Sequence, residues 1–123
     1  MNTINYNEGI AMKAIELLEE GKKYATFFTG GDNLTVESEE NLNSTGRWSI
    51  SADMKVDKVL IYLRKEGDIV ATIYEGNYKG KARGVLDRRF TVYFTDIKEL
   101  GTTANNWSEF TGNKSVNPVA YFG

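Results

Sequence analysis

Five cations, Lys79, Lys81, Arg83, Arg88 and Arg89, fall within eleven residues, with Tyr78 before them and Gly80 and Gly84 between them. Lysine and arginine neutralise phosphates, and glycine lets a backbone come close. A long hairpin connection of this content can therefore follow a sugar-phosphate chain. The same charges also suit a solvated loop that keeps a sheet edge from pairing with other molecules. Trp48 and Trp107 each stand among polar residues beside expected loops, where an indole lines a groove or seals an edge. A base stacked on such a ring gains about 1–3 kcal/mol, so a tryptophan beside a basic loop makes a candidate nucleobase site. Ordinary packing is the competing reading for each ring.

Other chemistries are reduced by what is missing. The chain has no cysteine and no histidine. That removes disulfides, thiolate nucleophiles, cysteine-type zinc sites, the commonest general base and every Ser-His-Asp arrangement. Gly76-Asn77-Tyr78-Lys79-Gly80-Lys81-Ala82 is one residue short of a phosphate-binding P-loop and has Ala82 where a magnesium-binding hydroxyl is needed. Asp96-Ile97-Lys98 ends like the D-x-K of many nucleases, with Asp87 or Asp68 as a second magnesium ligand. Two acids and a lysine recur by chance in almost any chain, so a solvated strand end is the expectation there. Binding is favoured over catalysis, with no cofactor and no metal expected.

The elements that must position these residues begin with a helix. From Glu8 to Glu20 the apolar positions Ile10, Ala11, Ala14, Ile15, Leu17 and Leu18 recur at three- and four-residue steps, with Asn7 as cap and Gly21 as stop. Strands are expected after Gly21. Tyr24–Phe28 and Leu34–Val36 are short, Glu37–Gly46 reads as a solvated loop, and alternation resumes at Arg47–Ile50. Val59–Leu63 is a continuous apolar run, as in a strand buried on both faces, and a charged turn joins it to Ile69–Tyr74. Glu75–Asp87 reads as a glycine-punctuated connection, Arg89–Thr95 as a half-buried strand and Ile97–Leu100 as a turn of helix. Pro118–Phe122 closes the chain as a strand with its proline at the start or on an edge. Phe27, Phe90, Phe94 and Phe122 are core candidates.

One helix and six or seven strands predict an α+β, mostly β domain spanning 1–123, a small bent sheet or β-barrel with the N-terminal helix packed across it. The chain's 123 residues suffice for one core. It carries no apolar run of the length a membrane helix needs and no export leader, so a cytoplasmic protein without membrane contact is expected. The sequons at Asn33, Asn43, Asn106 and Asn113 are then chance matches in an asparagine-rich chain. Net charge is −2 but unevenly spread: residues 1–54 hold nine carboxylates against four cations, and residues 55–100 hold ten cations against seven carboxylates. An anion-binding face belongs to the middle of the chain, and an acidic surface to its beginning.

The cadence from Gly46 onward resembles PUA-like domains, particularly the EVE and EVE-like branch. The residues that carry the likeness are Gly46-Arg47-Trp48-Ser49-Ile50, Val56-Asp57-Lys58-Val59-Leu60-Ile61-Tyr62, Asp68-Ile69-Val70-Ala71-Thr72-Ile73-Tyr74, and the strand Arg89–Phe94. Asn106-Trp107 and Phe110-Thr111-Gly112 stand where such domains place a lid-like element. Val56 departs from the family's usual glycine, and the chain lacks the family's overall basicity. The resemblance implies a bent barrel whose mouth holds a flipped, modified base. On that analogy Phe28, Trp48 and Trp107 are the ring surfaces and Ser49 donates an edge hydrogen bond. Arg47, with Lys79, Lys81, Arg83, Arg88 and Arg89, holds phosphates. The expected partner is thus DNA or RNA. The alternative is a protein-interaction module, an inhibitor or adaptor of a mobile element or defence locus, docking through Glu37, Glu39 and Glu40.

Overall fold

The computed structural model describes residues 12–113 and 116–123. Seven strands form one sheet: β1 (Tyr24–Thr29), β2 (Leu34–Thr35), β3 (Asn43–Trp48), β4 (Lys58–Leu63), β5 (Ala71–Arg83), β6 (Phe90–Thr103) and β7 (Val119–Phe122). Their order is β2-β3-β6-β5-β4-β1-β7. The β1–β4 pair is parallel and the other pairs are antiparallel. The sheet does not close on itself. It is an open sheet rather than a barrel.

It is nevertheless strongly curved. In a flat sheet β1 and β3 would lie roughly 19 Å apart, four strand spacings of about 4.8 Å. Phe27 of β1 and Trp48 of β3 instead bring their ring centroids to 5.1 Å. The bend is built into the long β5–β6 pair, whose register shifts at Ile73/Tyr74, Glu75/Asn77 and Tyr78/Gly80. Such bulges raise local twist and turn a ribbon. Two of the glycines in the expected connection serve this bend. Gly80 takes φ 136°, and a Cβ on Gly76 would fall on the Phe94 ring and 3.0 Å from the Thr95 carbonyl oxygen.

Alternation then divides the core in two. The concave side gathers Ala25, Phe27, Trp48, Val59, Ile61, Val92, Phe94 and Val119, with Met54 from the loop after β3. The convex side gathers Tyr24, Leu60, Tyr62, Ala71 and Ile73 under Met12, Ala14, Trp107 and Phe110. This is why Val59 to Tyr62 of β4 are all fully buried: the strand serves both cores, as its unbroken apolar run predicts. Phe27, Phe90 and Phe94 are buried as expected, and Phe122 is half-buried.

Several expectations need correction. The long connection of Glu75–Asp87 is strand as far as Arg83, and Ile97–Leu100 is strand within β6, because bulges keep the two chains paired past each glycine. Asn43–Gly46 is strand rather than loop. Its buried positions, Asn43 and Thr45, are polar, so no apolar alternation marks it. Asn43 donates to the Phe94 carbonyl at 3.2 Å and accepts from the Glu37 N–H at 3.0 Å.

The amphipathic helix is also absent over its described part. Glu8 to Ala11 lie outside the described residues, and from Met12 onward only a 3₁₀ turn forms, Ala14–Leu17, after which Leu18 is extended. Tertiary bonds take the groups a helix would use. The Met12 carbonyl accepts from Thr103 Oγ1 at 2.7 Å and Asn105 Nδ2 at 3.0 Å, and the Glu19 N–H donates to the Tyr24 hydroxyl at 2.8 Å. A short helix is marginal alone, so such competitors prevail. Ile15 is left 72% exposed.

Gly76→Ala is expected to destabilise the protein by about 1–3 kcal/mol, because the added methyl displaces the Phe94 ring from a filled core. Urea unfolding of the two proteins measures it, and an unchanged midpoint would mean that β5 and β6 are not this closely apposed.

Candidate functional site

β4 accompanies β5 only to Asn77, opposite Lys58. Beyond that residue β5 is the free edge of a three-stranded end of the sheet, β5-β6-β3, and this end carries the basic segment. Opposed residues of an antiparallel pair share a face, so Lys81 opposite Val92 and Arg83 opposite Phe90 both lie on the concave side. Lys81 Nζ sits 5.5 Å from the Phe90 ring centroid and Arg83 Cζ 5.8 Å from it. Lys81 also donates to the Met54 carbonyl at 2.8 Å, which ties the loop after β3 to the ribbon. Its charge is partly committed to structure.

The turn from Gly84 to Arg89 is internally bonded. The Gly84 N–H donates to the Arg89 carbonyl at 2.7 Å, and the Arg89 N–H donates to Asp87 Oδ1 at 3.1 Å. Arg47 is drawn into an ion pair with Asp87. The Arg89 N–H and the Arg47 guanidinium hold the Asp87 carboxyl below its ordinary range. Lys79, Arg83, Arg88 and Arg89 are exposed, and none of them forms an ion pair among the described residues.

The ring residues do not assemble into one pocket. Trp48 is 6% exposed on the concave side, packed on Phe27, with its indole N–H toward Thr45 Oγ1 at 3.3 Å. Ser49, the next residue, lines a different space, an open cleft of about 860 Å³. This cleft occupies the seam of the unclosed sheet, between β7 and the loop after β3, and Lys23, Lys55 and Tyr121 also line it. Burial pushes the Tyr121 hydroxyl pKa up.

Phe28 and Trp107 do come together, on the convex side. Their centroids are 5.6 Å apart, and Tyr62 lies 5.3 Å from the first and 5.5 Å from the second. With Arg64 and Val116 these rings line a cavity of about 410 Å³. Phe28 is 36% exposed there and Trp107 only 7%. Most of the polar groups of this cavity are already engaged. The Trp107 indole N–H donates to the Asn117 carbonyl at 2.7 Å, the Tyr62 hydroxyl to the Asn105 carbonyl at 2.7 Å, and Arg64 Nε to the Asp68 carbonyl at 3.1 Å. Such a site offers ring faces more than hydrogen-bonding edges.

Separation along the sheet matters as much. Phe28 pairs with Tyr62, and Tyr62 with Ile73, whereas Arg83 lies ten residues further along β5. At about 3.3 Å per residue that is roughly 30 Å. The rings therefore lie on the convex side and far along β5 from Arg83, so they do not share a pocket with the turn end of the basic segment.

Trp107 owes its position to a helix that no apolar periodicity announces, α1 (Trp107–Thr111). Asn106 Oδ1 accepts from the Glu109 N–H at 2.8 Å, and Glu109 returns a bond to the Asn106 N–H at 2.9 Å, a reciprocal capping box. Gly112, at φ 71°, ends the helix. The Asn-x-x-Glu spacing is the signal in the sequence that could have found it.

The nuclease-like acids serve as fasteners. Asp96 accepts from Asn41 Nδ2 at 2.8 Å, Asn77 Nδ2 at 3.0 Å and Thr95 Oγ1 at 3.1 Å, while its own N–H donates to Asn41 Oδ1 at 2.8 Å. Asp68 accepts from the Lys65 N–H at 3.0 Å. No three acids among the described residues are grouped to hold a metal ion. No helix among them is long and apolar enough to cross a membrane. No protein-family model, curated protein or solved structure matches the chain.

Hydrogen bonds from Asn41, Asn77 and Thr95 hold the Asp96 carboxyl below its ordinary value of 3.8. A carboxylate so depressed adds stability above its unfolded pKa, and that contribution is lost as pH falls through the folded value. Asn77→Ala is expected to raise the Asp96 pKa, read by carboxyl-carbon NMR titration. Asn77 is the cleaner position because Asn41 itself occupies φ 54°. An unmoved titration would remove Asn77 from the network.

Proposed function

We propose that this chain is a non-catalytic recognition domain that binds nucleic acid through its sugar-phosphate backbone, with the β5–β6 ribbon as the contact surface. One observation carries the reading. From Lys79 to Phe94 the ribbon holds five cations and one carboxylate, and Arg47 already pairs that carboxylate. The rest of the chain holds ten cations against sixteen carboxylates, so a polyanion is drawn to this end in preference to the remainder.

The reading is narrower than base recognition. Trp48 is spent on the core, and the Phe28–Tyr62–Trp107 cavity is remote from the turn end of the basic segment. If that cavity takes a ligand, it stacks a flat apolar body and leaves the ligand's edges largely unread. The PUA-like, EVE-like assignment stays within the proposal on its sequence cadence, and a curved, mostly β sheet is compatible with it.

A second reading, the protein-interaction module, is favoured by a separate surface. Val36 to Leu42 is exposed throughout, so Glu37, Glu39 and Glu40 stand between two uncovered aliphatic side chains, Val36 and Leu42. Carboxylates around apolar side chains suit a basic partner surface.

Titration of duplex and single-stranded oligonucleotides between about 50 mM and 200 mM salt is the test. Binding is expected to weaken steeply with salt. Combined Lys79→Ala, Arg83→Ala and Arg89→Ala should lower the log–log slope on duplex by about 0.9 for each phosphate that the variant no longer neutralises, whatever the base sequence. Absence of salt-dependent binding sinks the proposal. A stoichiometric protein partner that dissociates when the three glutamates are changed to glutamine would put the second reading in its place.

A further inference from the structure

Val85 and Leu86 occupy the tip of the turn that joins β5 to β6, and they are 97% and 96% exposed. The turn that carries them is held by its own bonds. Its polar groups close on one another through the Gly84–Arg89 and Arg89–Asp87 hydrogen bonds, and Arg47 clamps it from β3. The glycine at 84 is part of the same construction, since a Cβ there would meet Asp87 Oδ1. The turn thus satisfies its polar atoms inward and presents two aliphatic side chains outward, with Arg83, Arg88 and Arg89 as a collar within three residues of them.

We infer that this tip is an apolar wedge that enters between stacked bases of a duplex while the cationic collar holds the flanking phosphates. The inference rests on the nucleic-acid reading and deepens it by naming double-stranded nucleic acid as the ligand and base-step insertion as the mode. Aliphatic side chains pushed into a base step unstack it and bend the duplex, and the bend brings more phosphate to the protein. The charge distribution selects a duplex over a flat anionic surface. Outside Lys79–Phe94 the chain holds sixteen carboxylates against ten cations, so a narrow polyanion confined to the ribbon meets less repulsion than an extended anionic surface.

The test uses the full chain and a mixed-sequence duplex labelled with a fluorophore pair at its ends. Val85→Ser combined with Leu86→Ser changes only exposed side chains, and circular dichroism checks that the fold is retained. This variant is expected to bind about tenfold more weakly, to lose the shortening of the end-to-end distance, and to lose from its salt slope only the phosphates that the bend brings in. Arg88→Ala with Arg89→Ala should lower the slope while a shortening of the bound duplex is retained. A duplex carrying a central mismatch should bind the parent protein more tightly, because its stack is cheaper to open.

If the tip variant binds and bends DNA like the parent, the wedge is wrong while phosphate recognition stands. Absence of salt-dependent binding to any duplex overturns the nucleic-acid reading and the wedge with it. Tip-dependent binding to phosphatidylserine vesicles, with duplex affinity unaffected by the tip variant, assigns Val85 and Leu86 to a membrane and also overturns the wedge.

Discussion

The packing of Phe27 on Trp48 is the constraint from which the rest of this structure follows. It joins the first strand to the third across a sheet that places three strands between them, and only a sharply bent sheet allows it. That bend creates an inside and an outside, and each must be filled with apolar side chains. Bulges in the β5–β6 pair and the missing side chain at Gly76 are the local means. The gain is the burial of large rings from strands that are not neighbours.

The same bend determines which aromatic side chains are left for ligands. A tryptophan on the concave side is drawn into the core because curvature brings the opposite strand onto it. On the convex side Trp107 and Phe110 of α1 pack on the Tyr62 ring, and Phe28 keeps substantial exposure. Hydrogen-bond satisfaction then finishes the selection. The Tyr62 hydroxyl and the Trp107 indole bond to backbone carbonyls, because an unpaired polar atom there costs about 1–3 kcal/mol. What survives at the convex cavity is ring surface, and what survives at the ribbon is charge. The two do not share a pocket.

An unclosed sheet has further consequences. It leaves two edges, β2 and β7, and a seam between them that the loop after β3 only partly covers. Where β5 runs past β4, the exposed edge is lined with lysine and arginine. These are the residues natural sheets use to discourage edge-to-edge pairing. Edge protection and anion attraction are thus compatible uses of one set of side chains. Tying Lys81 to the Met54 carbonyl makes part of that set structural as well.

Much of the strand pattern was legible in the chain. The unbroken run Val59–Leu63 announced a central strand, the alternation Phe90-Val92-Phe94 announced one buried face, and Pro118 marked the approach to a short edge strand. These follow from local rules, namely a side-chain period of two and the missing N–H of proline. Charge segregation was equally readable, since it depends on residue order alone. Three things were not. The glycines near Gly80 spell a loop or a bulge equally well, and only pairing with β6 decided for the bulge. The apolar spacing before Gly21 promises a helix, but distant groups at Thr103, Asn105 and Tyr24 take up its bonds. Whether Trp48, Trp107 and the cations share a face was settled by curvature, which arises between residues far apart in the chain. Sequence alone therefore determined where most of the strands lie along the chain and where the charge lies. Tertiary structure decided which rings face solvent, because burial is a property of the assembled sheet.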